Sequence, residues 1–174
     1  MKSKKFYNIC FSLILLLYLI FILIFFLRIN RLFSPDYSAY RHINIVPFKT
    51  IIDYIIGDYT FYRAIGNLFL NIVFFIPAGI SIEILFYKRT IKNIKYIFYC
   101  SLLIEIIQYI FGTGISDIDD IILNLIGGIL GIYTFRFAVK IIEYNRAFKL
   151  FCILALIIEM TLLFFFFYIM YCNI

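Results

Sequence analysis

Five long apolar runs divide the sequence, at residues 9–27, 67–87, 96–111, 118–135 and 150–171, with charged or turn-forming residues between them. A helix needs roughly 20 apolar residues to cross the hydrocarbon core of a bilayer, and each run approaches that length. Lys2, Lys4 and Lys5 precede the first run and imitate the flank of a secretory signal. That run is of spanning length and no small-residue cleavage site follows it, so an uncleaved first helix is expected. The stretch at residues 28–63 contains Pro35, Gly57 and three aspartates, yet it is too apolar for a solvated linker. Ile43-Asn44-Ile45-Val46-Pro47-Phe48 and Ile51-Ile52-Asp53-Tyr54-Ile55-Ile56 read as short interfacial or re-entrant elements packed over the helices. Irregular backbone survives at membrane depth only where protein or water satisfies it. The pattern predicts an all-α integral membrane bundle of five transmembrane helices with an interfacial or re-entrant outer loop, a single domain over residues 1–174.

Composition agrees with the pattern. Of 174 residues, 65% are hydrophobic and 15% charged, and the mean hydropathy is +1.03. A soluble domain carries about one quarter charged residues, so an ordinary cytosolic enzyme and a disordered chain are both excluded. The net charge of +6 is no nucleic-acid footprint. In membrane proteins basic residues collect in cytoplasmic loops and meet anionic lipid there. With the N-terminus inside and the runs alternating, the inner segments hold eleven basic residues: Lys2, Lys4, Lys5, Lys88, Arg89, Lys92, Lys95, Arg136, Lys140, Arg146 and Lys149. The outer segments hold five: Arg28, Arg31, Arg41, Lys49 and Arg63. The expected location is the cell membrane, multi-pass, with a cytoplasmic N-terminus and an extracellular C-terminus. Cys10, Cys100, Cys152 and Cys172 share no CxxC spacing and His42 is the one histidine, so thiolate or zinc sites are not expected.

The acidic residues sort outward: Asp36, Asp53, Asp58, Asp117, Asp119 and Asp120, with Glu105 in the outer half of the third run. Loss of basic residues to the inner side does not explain three aspartates within four positions. At 100° per residue Asp117, Asp120, Asn124, Gly127 and Gly131 share a stripe about 80° wide, while Asp119 points elsewhere. Ser116 or Asp117 suits a helix N-cap, and Gly127 with Gly131 forms a GxxxG packing face. On the third run Glu105, Gln108 and Gly112 share a face, and an ionisable residue inside a span is a functional candidate by default. Its structural alternative is a satisfied polar clamp, such as Glu105 bonded to Asn124 or to a tyrosine. The turn Gly112-Thr113-Gly114-Ile115-Ser116 makes these runs a hairpin whose stripes meet at the outer end. Asn67 and Asn71 lie four apart on the second run, ahead of Pro77, which is expected to kink the helix. Asn44 and Arg41 are placed to join the cluster. Glu159, mid-span in the fifth run, is either a relay or a pairing group.

Taken together, Asn44-Ile45-Val46-Pro47-Phe48, the run from Asn67 through Asn71 and Pro77 to Gly79, Glu105-x-x-Gln108, and Asp117-Ile118-Asp119-Asp120 through Asn124, Gly127 and Gly131 resemble the VanZ-like family. The family is named for a teicoplanin-resistance protein, and the resemblance covers residues 41–133. It implies a multi-pass membrane protein associated with low-level resistance to teicoplanin or related lipoglycopeptides. Many members carry a basic residue before the Asp run; this chain has Ile115 there, so no arginine clamp is expected at that spot.

Three functions compete. The first is a membrane factor with an outward polar site that alters the access of lipid-tailed glycopeptides to the cell envelope. Its partners would be membrane lipids and a lipoglycopeptide or cell-wall lipid precursor, with no nucleic acid and no required cofactor. The second is an intramembrane enzyme acting on a cell-wall precursor or lipid phosphate, for which the carboxylates suit a divalent cation. The third is a small transporter or flippase using Glu105 and Glu159. Whether the protein is an enzyme stays open on sequence alone.

Overall fold

The computed structural model describes residues 2–26, 41–56 and 61–172. Arg28, Arg31, Pro35, Asp36, Gly57 and Asp58 lie outside the described residues, as do the side chains of Arg63 and Asn67. In chain order the elements are α1 (Lys2–Phe26), β1 (His42–Asn44), α2 (Lys49–Ile56), α3 (Phe61–Leu85), α4 (Thr90–Phe111), β2 (Ile115–Asp117), α5 (Ile118–Ile142) and α6 (Tyr144–Cys172). Every apolar run lies within or largely within a long helix, and the helices overrun the runs. α4 starts six residues before Tyr96, and α5 continues seven residues past Phe135 to Ile142. The apolar pattern marks the part of a helix that excludes water. Its backbone ladder continues beyond, carrying exposed residues such as Lys92, Lys95 and Lys140. Among the described residues, three helices hold stretches long and apolar enough to cross a membrane: Leu68–Leu85, Thr90–Phe111 and Ile118–Ile142. α1 contributes a shorter apolar stretch, Ile9–Leu23.

The expectation of a purely helical chain needs one correction. β1 and β2 pair as a two-stranded parallel sheet with His42 opposite Ile115, Ile43 opposite Ser116 and Asn44 opposite Asp117. Parallel strands need a long crossover, and α2, α3 and α4 supply it. The chain reaches β2 because Gly112 ends α4 in the left-handed conformation (φ 61°). That conformation is free of steric cost only for glycine. The amides of Gly112 and Thr113 then return to the last turn, donating to Tyr109 O and Gln108 O.

Two compact units divide the chain, Met1–Phe21 with Phe137–Ile174, and Ile22–Arg136. In the first, the Phe11 and Phe148 rings lie 5.6 Å apart, and Phe11, Ile14, Tyr18, Ala147 and Cys152 are buried. In the second, α3, α4 and α5 enclose Phe75, Ile97, Ile104, Leu123, Ile132 and Phe135. Glycines set the α3–α5 distance. A Cβ on Gly127 would lie 2.1 Å from Ile72 O, one on Gly131 2.1 Å from Ile76 O, and one on Gly79 1.9 Å from Gly128 O. The two backbones therefore touch along nearly two turns, a contact only small residues permit. α3 runs unbroken through Pro77.

Candidate functional site

Within the Ile22–Arg136 unit, the start of α5, the end of α4, the early part of α3 and the β1–α2 segment converge on Asp117, Asp119 and Asp120. Asp117 caps α5 as an Asx residue does, its Oδ1 accepting the Asp119 amide at 2.9 Å. The same oxygen accepts Asn44 Nδ2 at 3.1 Å, and its Oδ2 accepts the Thr50 hydroxyl. Asn44 Nδ2 also donates to Thr50 Oγ1 at 2.9 Å. One carboxylate thus closes its own helix and fixes β1 and α2 to it.

Asp119 is fully buried. Its Oδ1 accepts the Phe48 amide at 2.5 Å and its Oδ2 the Ile51 amide at 3.2 Å. These are amides at the N-terminus of α2, where a helix has no partners of its own and favours negative charge. Asp119 therefore caps a second helix from across the fold, which accounts for its position off the α5 stripe. Phe48 sits at φ 64°, a conformation costing a non-glycine residue about 1–2 kcal/mol. The charge-assisted bond to Asp119 holds it there.

Asp120 turns the other way. Its Oδ1 accepts Asn71 Nδ2 from α3, and it is the only one of the four clustered acids that is not buried. Glu105, 2% exposed, receives the Asp117 backbone amide on Oε2 at 2.9 Å, so α4 is tied to the same turn. Glu105 lies within electrostatic reach of Asp120 and Asp117. The pairing of Glu105 with Asn124 does not form: Asn124 Nδ2 donates to Ser101 Oγ one turn further along the bundle, at 2.9 Å. That leaves the buried Asn124 Oδ1 without a hydrogen bond.

The remaining candidates sort by position. Gln108 is buried beside the turn, its amide 3.9 Å from where a Cβ of Gly114 would stand. Arg41 is exposed and reaches Ile110 O at 3.4 Å. Asn67 lies in α3 with its side chain outside the described residues. Glu159 has a buried Oε2 without a hydrogen-bond partner and belongs to the other unit. Among the described residues, no group of three or more His, Cys, Asp or Glu is arranged to hold a metal ion.

Sequence reading missed Thr50 and Ser101, and it missed a second polar network at the opposite end of the three helices. Glu83, fully buried, takes Arg136 Nε and Nη2 at 2.8 and 3.0 Å, Asn93 Nδ2 at 2.6 Å and the Lys88 amide at 2.8 Å. Lys88, like Phe48, has a positive φ (63°). The available signal was a lone glutamate closing an apolar run, five residues before the lysine whose amide it holds.

Comparison with known proteins fixes the lineage of this arrangement. A family model described as VanZ/LLP1 matches residues 11–142, more than half of the chain. The chain belongs to the VanZ/LLP1 family. A relative named Protein VanZ, from Enterococcus faecium, is 32% identical over a 118-residue alignment that covers 66% of this chain and 64% of that protein. This VanZ-family chain therefore aligns with just under two thirds of the relative's length. No solved structure matches it. The family match takes in the whole Asp117–Asp120 turn, together with α3, α4, α5 and the β1–α2 segment.

Proposed function

We propose that this VanZ-family protein spans the cell membrane five times with its N-terminus in the cytoplasm and its C-terminus outside. In this reading the Glu105–Asp120 end of α3, α4 and α5 faces outward, and the protein contributes to low-level resistance to teicoplanin and related lipoglycopeptides. One observation carries the reading. The clustered carboxylates lie at one end of the three-helix unit, while Lys88, Arg89, Lys92 and Lys95 lie at the other. Basic residues mark the cytoplasmic side, so the carboxylate end is the outer one. There Asp117 and Asp119 act as scaffold, since both oxygens of each accept hydrogen bonds from the protein. Asp120, half-buried, is the acid nearest to a visitor, with Glu105 within electrostatic reach of it. The visitor is a lipoglycopeptide or a lipid-linked cell-wall precursor, whose lipid tail suits the apolar faces around the site.

The test is teicoplanin susceptibility in a host deleted for the gene, expressing wild type, Asp120→Asn or Glu105→Gln at matched membrane levels. Wild type should raise the inhibitory concentration, and Asp120→Asn should return it to the level of the empty host. Equal protection by all three would remove the carboxylates from the function. No protection by wild type would remove the resistance phenotype from this chain.

A further inference from the structure

α4 has two faces of opposite character. One carries Asn93, Ile97, Ser101, Ile104, Glu105 and Gln108, all buried in the bundle. The other begins with Lys92 and Lys95, both exposed, and continues through Tyr99, Leu103, Ile106 and Ile110, all exposed as well. At 100° per residue these six positions fall within about 80° of one another, so they form a straight strip. Its order along the axis is two ammonium groups, an aromatic ring, then branched aliphatics.

The turn leading into α4 adds to the charged end. Lys88 and Arg89 are exposed there, and Arg89, at the N-cap, makes no side-chain capping bond. The backbone of this turn is fixed by Glu83, which holds the Lys88 amide. The same carboxylate engages Arg136 on two nitrogens, so Arg136 is neutralised and Lys88, Arg89, Lys92 and Lys95 carry the positive potential. Tyr96 and Tyr99 stand one turn in from the lysines, at the level where amphipathic rings favour the headgroup boundary.

We infer that this strip of α4 is a binding site for one anionic phospholipid, its phosphate held by Lys92 and Lys95 and its acyl chain lying along Tyr99, Leu103 and Ile106. Charge decides the headgroup class: a zwitterionic lipid neutralises its own phosphate, whereas an anionic one brings a net charge that four neighbouring cations attract. Continuity decides between a lipid and a free ion, because the exposed aliphatic row begins where the lysines end and runs down the same side of the helix. The phosphate end of the site lies opposite the carboxylate end of the unit, and the strip is on the face of α4 turned away from Glu105 and Gln108, so it stands apart from the resistance reading.

The measurement uses full-length protein in nanodiscs of phosphatidylcholine with phosphatidylglycerol in both leaflets, followed by native mass spectrometry of the lipid retained on release. Wild type should retain phosphatidylglycerol in preference to phosphatidylcholine. Lys92→Gln/Lys95→Gln should weaken that preference by roughly 30-fold, two basic residues at about 1 kcal/mol each. Lys140→Gln/Arg146→Gln, the same charge change on α5 and α6 away from this strip, should weaken it clearly less than the Lys92/Lys95 change does. The proposal is overturned if wild type shows no preference, if the Lys92/Lys95 variant keeps it, or if the control loses it equally. Displacement of the lipid by inorganic phosphate at equal concentration also overturns it, since that would mean an ion site with no use for the aliphatic row.

Discussion

At the scale of single residues, the four acids of the cluster differ in what their oxygens do. Asp119 is buried and bound to two backbone amides, so replacing it by asparagine turns one acceptor into a donor facing an amide. Hydrogen bonds to a charged group contribute about 1.5–3 kcal/mol, and Asp119→Asn should lower stability by that order. It should also open the β1–α2 segment to limited proteolysis in detergent micelles. Asp53→Asn is the comparison, because Asp53 is exposed on the same short helix. Equal behaviour of the two variants would refute the capping role. Helical spacing alone grouped Asp117 with Asp120 and set Asp119 apart, whereas the geometry joins Asp117 and Asp119 on the β1–α2 segment and turns Asp120 toward Asn71 of α3. What the sequence could not disclose is that Asp119 serves a helix whose first amide lies 71 positions earlier. No local pattern encodes a partner at that range. Glu83 was overlooked for the same reason, since Arg136, its ion-pair partner, lies 53 positions away.

At the scale of elements, backbone contact between α3 and α5 governs the geometry of everything above it. Gly127→Ala and Gly131→Ala each place a methyl about 2 Å from a carbonyl oxygen of α3, which the helices relieve only by separating. Overpacking of this kind costs typically 1–3 kcal/mol, and the displacement would also draw Asn71 away from Asp120. Gly114→Ala meets nothing closer than 3.9 Å and should change the melting temperature little. A melting series in detergent that ranked Gly114→Ala with the other two would contradict this. The helices themselves were plain in the sequence, because apolar runs of spanning length leave few alternatives. Their ends were not, since a helix entering the interface exchanges apolar residues for lysines without breaking its ladder. Nor was the small sheet, as three-residue strands are too short for alternation to show, and their pairing depends on how Asp117 and Asn44 meet.

For the whole molecule, the two ends of the Ile22–Arg136 unit differ in sign and in construction. One is carboxylate-rich and capped by the β1–α2 segment; the other carries lysines around the ion pair of Arg136 with the buried Glu83. With native cysteines replaced, Lys49→Cys should react with an impermeant maleimide in intact cells, and Lys92→Cys only after permeabilisation. The reverse pattern would invert the orientation and carry the carboxylate site to the cytoplasm. The bonds from Asp119 to α2 have a further consequence, which concerns time. A hydrogen bond cannot form before both of its partners have been made, and Phe48 precedes Asp119 by 71 residues. At synthesis rates of about 5–20 residues per second, the β1–α2 segment waits roughly 4–14 s for the carboxylate that caps it. An eight-residue helix is marginal in isolation, so during that interval its unpaired amides depend on partners outside the fold, and the cap over the bundle is completed only as α5 begins to emerge.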